Sequence, residues 1–194
     1  GAGPAQAEDG AIAHGSLWAL SRALFGLRST TDVATVCAIA GDCAVSALGA
    51  SEYRLLRLEP RSGAVRWLHP TGEEERYLPE PGGPVERAIR HEQAVFDEGA
   101  ADPPPPRESA LWAEPPASLA TVPLISGGAP IGVLLVGYTA PRRFEGATRT
   151  FLQTLGDALA LALERSQLRR DLVEQRRSVQ ALEKRRSDDG EASS

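Results

Sequence analysis

The residues that could do chemistry are few: two cysteines and three histidines in a chain of 194. Cys37 and Cys43 stand six apart inside a helical pattern, so at about 100° per residue they point to opposite sides. A mutual disulfide is not expected. Cys37 lies on an apolar stripe, where a thiol acts as a small buried hydrophobe. His14, His69 and His91 fall near the start of the first helix, at a strand end and at the close of a short helix. No pair has a ligand spacing, so no metal site is expected. As a single axial ligand for haem, His91 would be nearest the expected pocket, but surface histidines are the simpler expectation. No Ser-His-Asp set, carboxylate pair or phosphate loop can be assembled, and no catalytic residue is assigned.

One positive feature remains. In GGPVERAIRH, Pro84 suits a first helical position, and the free amides there, with Arg87 and Arg90 following, could accept an anion. An exposed helix with solvated arginines is the plainer reading. Tyr77, Phe96, Trp112 and Thr121 could line an adjoining cavity and complete a ligand site. For Trp112, pinning the proline-rich loop by plain packing is the alternative.

These residues need elements to position them. Residues 1–10 are small and polar and are expected to be disordered. An amphipathic helix, Ala11 to Phe25, carries Ile12, Leu17, Leu20 and Leu24, and Gly26 closes it. A second helix starts at the capping pair Thr31-Asp32, presents Val33, Val36, Cys37, Ala40, Ala44 and Leu48 on one face, and stops at Gly49. Tyr53–Leu58 and Val65–His69 form a hairpin around Pro60-Arg61-Ser62-Gly63. A polar connection, TGEEERYLPEPGG, leads to the Pro84 helix and a brief strand, AVFD. Residues 98–116, with prolines at 103 to 106, read as a long loop with polyproline character. Residues 118–138 make two apolar strands around a Gly127-Gly128 turn. A continuous helical pattern then runs from Phe144 to about Ser187. The sheet should be largely antiparallel, with 118–138 central, long helices on one face and the loop and short helix on the other; the fold class is α+β.

Composition narrows the function classes. A net charge of −5 does not suggest nucleic acid as a partner. No apolar run approaches the roughly 20 residues that span a bilayer, and no signal peptide is read. A reducing, cytoplasmic setting follows from the cysteine usage. With no methionine, even at position 1, the chain is expected to be a piece of something longer.

Val122-Pro123-Leu124, the glycine turn, Ile131-Gly132-Val133-Leu134, Phe144 and Ala162-Leu163-Glu164-Arg165 follow one another in the order of the C-terminal half of a GAF domain. LGASEYRLLRLEPRSG resembles that family's passage into its first hairpin. The resemblance spans about residues 14 to 168. It implies a central antiparallel sheet of five to six strands flanked by helices, in a sensory module for small molecules or in a dimerisation element. It also frames the cofactor question. Bilin-binding members carry a cysteine after the third strand, and none follows Asp97 here, so no covalent bilin is expected. The cyclic-nucleotide signature of some members is absent. Members that reduce methionine sulfoxide need pocket cysteines, whereas Cys37 and Cys43 lie in a helix, so that redox reading ranks last. The cofactor is left unknown.

From Glu145 to Ser187 the final helix would measure about 64 Å, far longer than a strand of five or six residues. Beyond the domain its apolar residues are Leu168, Leu172, Val179 and Leu182, with Gln175 in the missing place. That is a two-heptad seam, too narrow to be stable alone, which predicts a parallel homodimer. A solvated terminal tail is the alternative. The expected organisation is a domain over 11–168, a coiled-coil signalling helix over 169–187 and a disordered tail over 188–194. The helix would lead to an output domain such as a kinase, cyclase or transcriptional activator. A ligand-free dimerisation scaffold is the competing function.

Overall fold

A computed structural model describes residues 4–60, 62–99 and 107–191, with side chains between 17 and 183. Helix α1 (Pro4–Ser29) precedes α2 (Val33–Asp42), which widens into a π-helical turn over Cys43–Ala47. Strands β1 (Glu52–Leu58), β2 (Val65–Leu68) and β3 (Glu74–Tyr77) come next, then α3 (Pro84–His91) and β4 (Val95–Asp97). A single 3-10 turn (Ser109–Leu111) leads into β5 (Ser118–Ser126), β6 (Ala129–Tyr138) and the 46-residue α4 (Gly146–Glu191).

The strands form one sheet in the order β3-β2-β1-β6-β5-β4, every pair antiparallel. The fold class is thus as read: an antiparallel six-stranded sheet, flanked by helices, with a long C-terminal helix. β6 lies at the centre and β5 beside it, joined through Gly127 and Gly128, both at positive φ. Because successive strand residues face opposite ways, the apolar run of β5 and β6 supplies two cores. Ala120, Val122, Leu124, Leu134 and Val136 pack under α1, α2 and α4. Leu119, Val133 and Leu135 join Leu56 and Val65 against Val85 of α3 and the loop residues Leu111 and Trp112.

The start of α2 follows its capping chemistry: Asp32 accepts the Thr35 amide at 2.9 Å and its hydroxyl at 2.7 Å. Several local expectations shift. The helix α1 begins at Pro4, within the segment expected to be disordered, and runs past Gly26 to Ser29. Gly26 is there for contact instead: a Cβ would sit 3.0 Å from Ile39 of α2. The buried face of α1 is Leu20, Ala23 and Leu27, whereas Leu17, Trp18 and Phe25 are exposed. Within the polar connection, Glu74–Tyr77 forms the edge strand β3, whose charges suit an edge. Glu74 pairs with Arg57 at 2.5 Å and with Arg170 of α4 at 2.9 Å. The helix α4 extends to Glu191, past the expected Ser187, and the last buried side chain among its described residues is Ser166. The prolines at 103 to 106 lie outside the described residues. Among the described residues no helix is long and apolar enough to cross a membrane.

Leu134, at the centre of the sheet, is completely buried. Leu134→Ala should cost about 2–5 kcal/mol through lost burial and a residual cavity, read by urea unfolding. Val45→Ala, on an exposed part of the π-helical turn, should change stability by no more than about 0.5 kcal/mol.

Candidate functional site

The candidate site is the face of the sheet covered by α3 and the 107–116 segment. Strand alternation puts Thr121 of β5 on it, with Leu119 and Leu135, while Tyr77 enters from the edge. Trp112 pins the loop, its indole N–H donating to the Arg107 carbonyl at 2.9 Å. Four expected residues, Tyr77, Arg87, Trp112 and Thr121, therefore belong to this layer. Two do not. Phe96 projects to the opposite face, because in β4 it alternates with Val95 and Asp97; its ring packs 5.2 Å from Phe144, beneath Arg149. Arg90 points outward and pairs with Glu86 one turn earlier.

The anion expected at the start of α3 is the chain's own. Glu108 is fully buried and accepts hydrogen bonds from the Tyr77 hydroxyl, the Glu80 amide at 3.0 Å and the Val85 amide at 3.1 Å. Glu80 answers by accepting the amides of Glu108 at 3.2 Å and Ser109 at 2.6 Å. This clasp holds the loop to the helix end. It requires Gly83, where a Cβ would lie 2.6 Å from a Glu108 oxygen, and it sets Glu108 itself at a left-handed φ of 57°. Burial pushes the Glu108 carboxyl above its usual range, and the three donors only partly offset this. Burial likewise pushes the Tyr77 phenol upward, reinforced by the carboxylate it meets.

Arg54 completes the layer. Its guanidinium lies 4.5 Å from the ring centres of both Trp67 and Trp112 and donates to the Leu111 carbonyl at 2.8 Å. Beneath α3 the space is occupied by Leu56, Val85, Leu111, Leu119 and Val133, all buried. Two polar atoms in the layer are buried without a partner among the described residues: Arg87 Nε and Thr121 Oγ1. Clefts open elsewhere. One, of 960 Å³, runs between the start of α2 and α4 beside Asp32, Arg169 and Arg177. Another, of 540 Å³, lies over Leu58, Ile131 and Leu163.

The remaining chemical candidates are dispersed. Cys37 and Cys43 are buried, their thiols pushed up to about 12 and about 11 by desolvation, so neither is a thiolate at neutral pH. His91 is exposed at the end of α3, and His69 stacks 4.0 Å from Trp67. Glu108 and Arg54 are the key residues that sequence reasoning missed. Arg54 left a faint signal, a charge beside the apolar pair Leu55-Leu56 within its strand; Glu108, in an irregular loop, left none.

A family model described as GAF domain matches residues 30–164. Two similar solved structures are GAF domains from phosphoenolpyruvate-protein phosphotransferases. The Coxiella burnetii domain is 16% identical with a TM-score of 0.69, covering 81% of this chain and 97% of its own. The Acinetobacter domain is 19% identical with a TM-score of 0.64, covering 80% and 97%. Free methionine-R-sulfoxide reductase from Neisseria meningitidis, in complex with its substrate, is 22% identical with a TM-score of 0.60, covering 77% and 88%. No curated protein matches the chain.

Removing the Glu108 carboxylate by Glu108→Ala strands three donors and should cost about 1–3 kcal/mol or more. The pH dependence has a definite sign. A carboxyl whose pKa is raised on folding adds stability below its unfolded value, near 4.5, and loses it as pH rises through the native value. The stability of the unsubstituted chain relative to Glu108→Gln should therefore fall between acid and neutral pH in urea titrations. A difference independent of pH would contradict this.

Proposed function

The chain belongs to the GAF domain family, and on that premise we propose that it is a non-catalytic, cytoplasmic regulatory module of a bacterial signal-transduction protein. The observation that carries this reading is α4. Its first five turns bury Leu152, Leu155, Leu159 and Leu163 in the domain core, and every described side chain from Leu168 to Glu183 is exposed. A helix of about 69 Å that leaves its domain with an apolar stripe is built to meet something. A second copy pairing along Leu168, Leu172, Val179 and Leu182 would bury that stripe and carry it to an output domain such as a kinase, cyclase or transcriptional activator. The Coxiella and Acinetobacter GAF domains come from phosphoenolpyruvate-protein phosphotransferases. A change in packing over the sheet would shift the paired helices by a small step, the kind of transition that helical interfaces transmit.

Two readings of the α3 face are open to the fold. In the sensory reading, a small ligand enters the α3 face, where Tyr77, Arg87, Trp112 and Thr121 lie. In the scaffold reading, the domain only dimerises, which the dense α3 layer and the seated Glu108 carboxylate favour. Native mass spectrometry of the purified protein separates them by reporting retained small molecules and subunit count together. The sulfoxide-reductase reading has little support, since both thiols are buried and their pKa values raised.

The dimer reading is tested by Leu172→Asp with Leu182→Asp. Each substitution removes roughly 1.5–3 kcal/mol of apolar burial per chain and opposes two carboxylates. Sedimentation equilibrium should show a shift from dimer to monomer, with the domain still folded because both leucines are exposed in the single chain. An unsubstituted chain that is monomeric at high micromolar concentration would overturn the reading. A variant still fully dimeric would move the interface to the exposed face of α1.

A further inference from the structure

Leu161 stands out on the domain's own surface. Its neighbours Leu159, Ala160, Ala162 and Leu163 are buried, yet Leu161 is 56% exposed on the side of α4 turned from the sheet. It also falls in step with the residues beyond the domain. Leu161, Leu168, Gln175 and Leu182 recur every seventh position, and Leu172 and Val179 stand four after Leu168 and Gln175. With the first set at d and the second at a, one heptad pattern runs from the domain body to Leu182. The a position between Leu161 and Leu168 is Arg165, which turns onto α1 and donates to the Leu27 carbonyl.

The charges beside the stripe select its occupant. Glu164 and Asp171 hold g positions, and Arg169 and Arg176 hold the e positions five residues further on. A parallel copy in register sets Glu164 against Arg169 of the second chain and Asp171 against its Arg176, each pair made twice by symmetry. An antiparallel copy would oppose carboxylate to carboxylate and guanidinium to guanidinium. Gln175 adds a register marker, since a slipped copy would bury its amide against leucine.

Resting on the dimeric reading of α4, we infer that its occupant is a second copy of this chain, parallel and in register, and that the interface begins on the domain body at Leu161. Core and interface then share the same turns of helix: Leu159 and Leu163 meet the sheet while Leu161 meets the second copy. Glu164 also accepts the Ser126 hydroxyl at 2.6 Å. The β5–β6 turn therefore touches the carboxylate that faces the other chain, a direct link from sheet to interface.

Single cysteines test this. Cys37 and Cys43 are buried with raised pKa values, so the unsubstituted chain is a silent control. Leu161→Cys and Leu168→Cys should each give a disulfide-linked dimer under mild oxidation, because d positions of a parallel, in-register pair face their own copies within disulfide reach. Arg177→Cys, at an outward f position, should not. Asp171→Arg should weaken dimerisation about tenfold, and adding Arg176→Asp should restore it to within about threefold. If sedimentation shows a dimer but Leu161→Cys does not cross-link and Asp171→Arg leaves affinity unchanged, this arrangement is wrong while the dimer reading stands. A monomeric unsubstituted chain would overturn both.

Discussion

The pairing of β1 with β6 at the middle of the sheet is the constraint on which the rest depends. Adjacent residues Leu55 and Leu56 point to opposite faces and both are fully buried, as are Leu134 and Val133 opposite them. Strands apolar on both faces need two covering layers, since each leucine left in water forfeits roughly 1.5–3 kcal/mol. One layer is helical, made by α1, α2 and α4; the other is α3 with the loop that carries Leu111 and Trp112. The helix α4 is thus fixed on one side by the sheet, and whatever its outer side does is done by a helix already committed to the core.

The second layer explains why no simple ligand chemistry is visible. A helix N-terminus that could receive an anion is satisfied from within by Glu108, and the aromatic residues that could grip a ligand, Trp67 and Trp112, hold Arg54 instead. A ligand entering this face must displace packed side chains. What it would gain are the buried Arg87 Nε and Thr121 Oγ1, since a buried polar group without a partner costs about 1–3 kcal/mol. Sensing and scaffolding are therefore neighbouring states of one layer, separated by how firmly the Glu80–Glu108 clasp holds.

Much of this architecture was legible in the sequence because its signals are local. Alternation and continuous apolar runs gave β1, β2, β5 and β6; the Thr31-Asp32 and Pro84 signals gave the starts of α2 and α3. What was missed depends on partners far along the chain. Strand β3 reads as polar, and its Glu74 carboxylate is answered by Arg57 and Arg170, 17 and 96 residues away. Glycine at 26 reads as a stop, but Ile39 of α2 needs the space. Phe96 was assigned to the wrong face because a three-residue strand leaves its phase open. Glu108 has no pattern at all, since its donors come from residues 77 to 85. Leu161 was passed over because it sits among buried residues, and only the three-dimensional fold shows it facing out.

The account turns on whether the exposed half of α4 is covered by a second chain, and amide hydrogen exchange across a dilution series reads this most directly. A lone helix with all its described side chains in water from 168 to 183 would open readily. The account predicts that amides over 168–183 are protected at high micromolar concentration and lose that protection on dilution, while those over 152–163 stay protected throughout. Rapid exchange over 168–183 at every concentration, with 152–163 still protected, would contradict it.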